Sequence, residues 1–510
     1  MPSRQAPLKW NYASFGIDQR IPPVSPSVLG FAEALNGYFT TNASWKSRPG
    51  NAYLGAAVGG DASVDGAFDF WVNNVTQYSI KVSNGVFYKL VGTTWTPVSL
   101  GTVAVTAGKP VNFAVLNGVC LFGNGTDHNG SFDGTTITDI NAQLAPCKYF
   151  LTHGSRIFAA GNPTYPSRLF WCAANNVADW TTAGDAGFKD AEIGEDIIIG
   201  LGRAAGDVWV MKGEKNPGIL QFAGTSYDDF RFLPTFSHTG VTGYHRAIVN
   251  TGNDLLFQGP TGIYSLNRLR AASGDIEQAR ISDPVQRLFG EQAAAKIGTG
   301  CAVWLPDLNI AVFYLSKAGG ALDNALCVSV PADLSGKYRW AYWTFVPTIT
   351  VAVNFTSATG RTVMVGGSTG RAATWDGALE VDQDGSRFPS YIKMPFLSGG
   401  DQRKAKVAKH FTQTYLSAAE LSVTIALLDG TTYTQNLPGS AGGTWGTGLW
   451  GHGFGPNANY PYNSGLVNSA NLPLRGISTA IAPQVTKTSG VYELFDGQLD
   501  LVGAGRSEKS

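Results

Sequence analysis

Between Arg156 and Asn267 one pattern recurs three times, and it leaves few folds open to this chain. A short apolar strand (Arg156 to Ala160, Asp207 to Lys212, Asp254 to Gln258) runs into a Gly, Pro or Asn turn. A second strand then ends on bulky residues, at Leu169-Phe170-Trp171, Gly218 to Phe222 and Gly262 to Leu266. Short strands punctuated by turn residues are the mark of antiparallel sheet. The spacing extends beyond these three units: Tyr88, Phe132, Phe170, Leu220 and Tyr264 end equivalent hairpins and lie 44, 38, 50 and 44 residues apart. Repetition on that scale predicts the blades of a β-propeller.

Composition narrows the class. Apolar residues make up 44% of the 510 and charged residues only 15%, so there is material for cores and too little charge for a disordered chain. The formal net charge is zero, without the basic excess of a specific nucleic-acid binder. The five cysteines, Cys120, Cys147, Cys172, Cys301 and Cys327, form no C-x-x-C pair and read as buried thiols in a reducing compartment. The N-terminus has no apolar core of signal-peptide length, and no apolar run reaches the about 18 residues of a membrane-spanning helix, so a soluble cytosolic chain is expected.

Along the chain, residues 1–50 read as an extended arm or closing strand, with prolines at 22, 23 and 26 and one weak helical turn from Val28 to Leu35. Residues 51–384 hold the repeats, with Asn84-Gly85, Asn117-Gly118 and Asp133-Gly134 as hairpin turns. Six or seven blades are expected, the last borrowing a strand from the N-terminal segment, because circular closure removes exposed sheet edges. Residues 385–510 alternate in longer strands and predict a separate antiparallel β-domain of sandwich type. Within it, 438–465 is a long loop rich in Gly and aromatics. Trp445, Trp450, Phe454, Tyr460 and Tyr462 are the candidate residues for docking a partner.

Catalytic patterns are sparse. His128, His153, His238, His245, His410 and His452 show no metal-ligand spacing and read as ordinary polar residues. The run 200–206 (GLGRAAG) opens no helix and reads as a hairpin turn rather than a dinucleotide loop. Of the paired carboxylates, Asp228-Asp229 and Glu195-Asp196 are adjacent and would point to opposite faces of a strand. Asp382, Asp384 and Gly385 lack the later Glu of a calcium loop and read as a surface turn. Propeller sialidases carry Asp boxes, which Ser131 to Gly134 matches only at its start. No catalytic residue, metal or cofactor is expected on these grounds.

Three runs carry a family resemblance: SRLFWCAANNVADW (167–180), DAGFKDAEIGEDIIIGLGRAAGDVWVMKGEKNPGILQF (185–222) and HTGVTGYHRAIVNTGNDLLFQGPTGIYSL (238–266). They resemble the tail nozzle, or tail-stabilisation, structural proteins of short-tailed bacteriophages. Cys172, Ala178 and Met211-Lys212 depart mildly from that pattern. The resemblance implies a non-enzymatic virion component assembled in the host cytoplasm: a homo-oligomeric ring, with a hexamer as the expected count, beneath a head–tail adaptor protein. Its lumen would pass genomic DNA without sequence-specific binding, and its outside would hold a tail fibre or spike. The alternative is a carbohydrate-binding or carbohydrate-cleaving propeller acting as a tail adhesin, suggested by aromatics able to stack on sugars and by scattered Asp.

Overall fold

The computed structural model describes residues 8–437 and 468–503 apart from short internal segments, the longest being 234–242, 292–298 and 399–405. The described chain is mostly β, built as a succession of small antiparallel sheets with the look of a propeller. Four sheets of four strands come first. Their opening strands are Val64–Trp71, Asn112–Leu116, Tyr149–His153 and Ile197–Ala204. A three-stranded sheet opens with Ile248–Asn250. Cys301–Leu305, Ile310–Leu315 and Leu322–Ser329 then pair in turn and lead to the long strand Arg339–Ser357. The second half of that strand pairs with Gly360–Gly367, which pairs with Ala372–Asp376, and Gly50–Tyr53 adds to that edge. Each opening strand lies beside the next, and the second half of Arg339–Ser357 lies beside Val64–Trp71.

The period of two explains why these sheets stack. In Arg156–Ala160 every residue is buried, although alternate side chains point to opposite faces. Ile157 and Ala159 pack with Leu116 and Leu121 of the preceding sheet, while Phe158 and Ala160 pack with Leu201 and Leu220 of the following one. Asp207–Gly213 is shared likewise, Val208 and Val210 on one side, Trp209 and Met211 on the other. A middle strand sandwiched between two neighbours reads as a continuous apolar run. The outermost strand Gly187–Asp190, with one neighbour, is largely exposed. Val64, Ala67 and Trp95 share a further core with Val351, Met364 and Ala372, joining the first repeat to the last.

Two more layers of strands lie beyond the repeats, the first continuous with Arg339–Ser357 through the pairing of Leu35 with Tyr342. One runs Thr432–Leu437, Leu421–Leu427, Ile481–Lys487, Tyr391–Lys393 and Glu33–Leu35. The other runs Asn468–Pro473, Lys406–Ser417, Tyr492–Gly503, Trp45–Ser47 and Gly37–Phe39. Leu421, Val423, Ile425 and Leu427 alternate inward and share a core with Tyr415, Leu494 and Leu499 of the second sheet. The N-terminal segment is woven into both sheets, and Leu8–Asn11 also pairs with Tyr492–Gly503. Glu33–Leu35 is a strand where a helical turn was expected, because its backbone completes the ladder with Tyr391–Lys393.

The expected turns at Asn84-Gly85 and Asn117-Gly118 are present, with all four residues at positive φ (50°, 75°, 50° and 77°). The Gly-rich run 200–206 is the end of Ile197–Ala204 followed by an Ala205-Gly206 turn. Asp382 opens the expected turn, Gly385 N donating to its carbonyl, and Asp384 and Gly385 are exposed there, but the Asp382 side chain turns inward. It is buried, and its Oδ1 accepts from Arg48 Nη2 at 2.7 Å. All five cysteines are free and buried. Among the described residues no helix is long and apolar enough to cross a membrane.

Candidate functional site

A cavity of about 440 Å³ lies among the opening strands of the repeats. That is within the range of small-molecule sites, about 300–1,000 Å³. Its wall draws on strands far apart in sequence. Asn112 and Cys301 begin their strands. Arg203, Asn250, Trp304 and Asn354 come late in theirs.

Arg246 occupies the cavity's deep side. It follows His245 in the single turn of 3₁₀ helix His245–Ala247 that leads into the fifth sheet. From there it reaches the first two sheets: Nε donates to Asn112 Oδ1 at 2.9 Å, and Nη2 donates to the carbonyls of Asp65 and Val111, both at 2.7 Å. All three acceptors are neutral groups. Burial lowers its pKa, opposed by nearby acidic groups that include Asp65. The Asp65 carboxylate itself accepts from Gly108 N and Ser63 Oγ. Asn112 is held in turn, its Nδ2 donating to Lys148 O at 2.8 Å. His245 accepts from Leu201 N through Nδ1 at 3.2 Å and packs on Tyr149, ring centroids 5.0 Å apart. Burial, then the Arg246 charge, pushes its pKa down to about 3, so the imidazole is neutral at ordinary pH.

Asp69 is the one carboxylate among the described lining residues. Gln77 Nε2 donates to both its oxygens, at 2.9 and 2.8 Å, and Thr356 N donates to Oδ2 at 3.1 Å. Burial outweighs these bonds and raises its pKa to about 6. Beside it, Phe68 stacks on Phe113 with centroids 5.4 Å apart, and half-buried Trp304 adds a third ring to the wall. The arrangement offers aromatic faces, amide groups, a guanidinium, and a carboxyl that exchanges a proton near pH 6. Glycoside cleavage by paired carboxylates needs two acids, and among the described lining residues only Asp69 is one.

Most residues singled out from sequence lie elsewhere. Trp445, Trp450, Phe454, Tyr460 and Tyr462 fall outside the described residues, as do Glu195, Asp196, His238 and His452. Asp229 closes a turn with Ser226, and His128 bonds Asp139 on the surface. Of the residues singled out, His245 and Cys301 reach the cavity. Asp69, Arg203, Arg246 and Trp304 were not singled out, since each stands alone in its repeat. The available signal was a set of charged and amide residues in strands otherwise read as core.

No family model matches the chain, and no curated protein sequence matches it. Among solved structures it is similar to an exo-β-1,3-galactanase of Phanerochaete chrysosporium with galactose. The identity is 10%, the match covers 89% of this chain and 100% of that one, and the TM-score is 0.26. A variant of that enzyme with β-1,3-galactotriose matches at 9% identity over 88% and 99% of the two chains, with a TM-score of 0.25. A likeness at this level transfers neither residue nor activity. The expected tail nozzle without enzymatic activity is corrected only to this extent: the structures named here are all of one sugar-cleaving enzyme, and none is a tail component. The physical reason lies in the repeats themselves. Residues read as scaffold alone enclose a ligand-sized cavity with a titratable carboxyl in its wall.

Proposed function

We propose that the chain is a carbohydrate-recognising propeller that holds a saccharide in its central cavity. The observation that carries this reading is the wall itself, in which Trp304, Phe68 and Phe113 stand beside Asp69, Asn250, Asn354 and Arg203. Sugars present apolar faces and rings of hydroxyls, and such a wall answers both. Asp69 can accept from a hydroxyl when ionised and donate a proton when protonated, so it is the group through which turnover would run. The architecture belongs to the same proposal: seven blades, the last completed by Gly50–Tyr53, with the two further sheets as a separate β-domain. It is supported by the order in which the opening strands adjoin and by the core shared between first and last repeats.

The test is calorimetric titration of the whole chain with neutral and acidic oligosaccharides, alongside an assay for released reducing ends. Trp304→Ala should weaken binding about tenfold, the loss of one stacking face at about 1–1.5 kcal/mol. Asp69→Asn should abolish any turnover while still melting in one cooperative transition. A chain that binds no oligosaccharide of either kind would sink the reading.

A further inference from the structure

The cavity's charge singles out one class of saccharide. Two arginines, Arg246 at depth and Arg203 on an exposed stretch of the lining, face a single carboxyl, that of Asp69. Neither arginine makes an ion pair among the described residues. Arg246 gives its three hydrogen bonds to a side-chain amide and two carbonyls. Arg203 makes one long contact, Nη1 to Thr152 O at 3.5 Å. The Asp65 carboxylate lies near enough to Arg246 to oppose the fall of its pKa, yet it accepts from Gly108 N and Ser63 Oγ and makes no bond to the guanidinium. Here Nε and Nη2 are engaged while Nη1 has no partner among the described residues, so two N–H donors remain for a ligand.

The surroundings strengthen the field. Lys148 sits close behind, its ammonium 5.4 Å from the Tyr149 ring centroid. Burial, then the Arg246 and Lys109 charges, holds its pKa below the usual lysine range. His245 contributes no charge at ordinary pH, and Asp69 is only partly ionised near pH 6. A ligand carrying its own carboxylate would supply a counter-charge bonded directly to the free guanidinium donors, and guanidinium donors match carboxylate geometry.

We propose that the cavity takes an acidic saccharide, one containing a uronic acid, whose carboxylate is seated on Arg246 with Arg203 as a second contact. This rests on the carbohydrate reading above and names its ligand class. The experiment compares a glucuronic-acid-containing oligosaccharide with its carboxyl-reduced counterpart, identical except that the carboxylate has become a primary alcohol. Both are titrated into the full chain and into Arg203→Gln and Arg246→Lys. The expected result is a preference for the acidic sugar of about tenfold or more, weakened by salt and reduced in the variants. Arg203→Gln keeps the test decisive should Arg246→Lys fail to fold, because the exposed Arg203 side chain makes only the one long contact to Thr152 O. Equal binding of the two sugars would overturn the acidic ligand and leave the saccharide cavity standing. Binding of neither would remove both readings. A preference that survives undiminished in the folded variants would place the carboxylate elsewhere and overturn this assignment.

Discussion

At the scale of single residues, the cavity holds two titrating groups whose effects on stability run in opposite directions. Asp69 has its pKa raised from 3.8 to about 6, so the folded chain binds more protons than the unfolded one between those values. Its contribution is therefore complete below about pH 4 and is lost as pH rises through 6. His245 has its pKa lowered from 6.5 to about 3, so the folded chain binds fewer protons in that range. Its contribution is complete above about 6.5 and is lost as pH falls toward 3. Over pH 4–6 the two slopes oppose each other, and the parent's melting temperature should vary little with pH on their account. Asp69→Asn, which mimics the protonated acid, should unmask the histidine and make stability rise across that window. His245→Asn should do the reverse and make it fall. Melting curves at half-unit steps of pH decide this. Parallel profiles for the parent and both variants would show that neither group titrates as its surroundings dictate.

At the scale of elements, the hairpin turns show what a sequence can and cannot disclose. Asn117-Gly118 was legible because a two-residue turn needs positive φ at both positions, and Asn and Gly tolerate it best. The alternation of apolar residues disclosed the strands for the same local reason. The neighbour of each turn was not legible. A Cβ at Gly118 would lie 2.1 Å from Val72 O, whereas one at Gly154, also at positive φ, would meet nothing within 4 Å. Gly154→Ala should therefore cost only the backbone strain of the left-handed region, about 1–2 kcal/mol. Gly118→Ala should cost clearly more, because Val72 must move as well. Chemical denaturation of the two variants measures the difference, and equal losses would mean that the contact with Val72 is not rigid. The cavity was hidden for the same non-local reason. Asp69, Arg246 and Trp304 are separated by 177 and 58 residues, and nothing near any one of them announces the other two.

At the scale of the whole molecule, the N-terminal segment decides whether the repeats form a closed object. Gly50–Tyr53 pairs with Ala372–Asp376 in the register Ala52 to Thr374, covering what would otherwise be an open edge. Just before it, Arg48 is buried between the rings of Phe388 and Phe345, at 3.6 and 4.7 Å, and bonds Asp382 and Thr344 O. That anchor fixes the incoming chain where the repeats meet the two further sheets, and Trp45 continues the same path by pairing with Leu494. Stability is thus shared between segments more than 300 residues apart, and local strength in the repeats cannot replace it. Deleting residues 1–53 should leave the outer edge of Ala372–Asp376 unpaired and Asp382 buried without its guanidinium, a loss of several kcal/mol for the ion pair alone. The shortened chain should then elute as aggregate and melt without a single cooperative transition. Size-exclusion chromatography with scanning calorimetry tests this directly. A monomeric product melting within a few degrees of the full chain would show that the repeats close without the N-terminal strand, and the seven-blade arrangement proposed here would have to be redrawn.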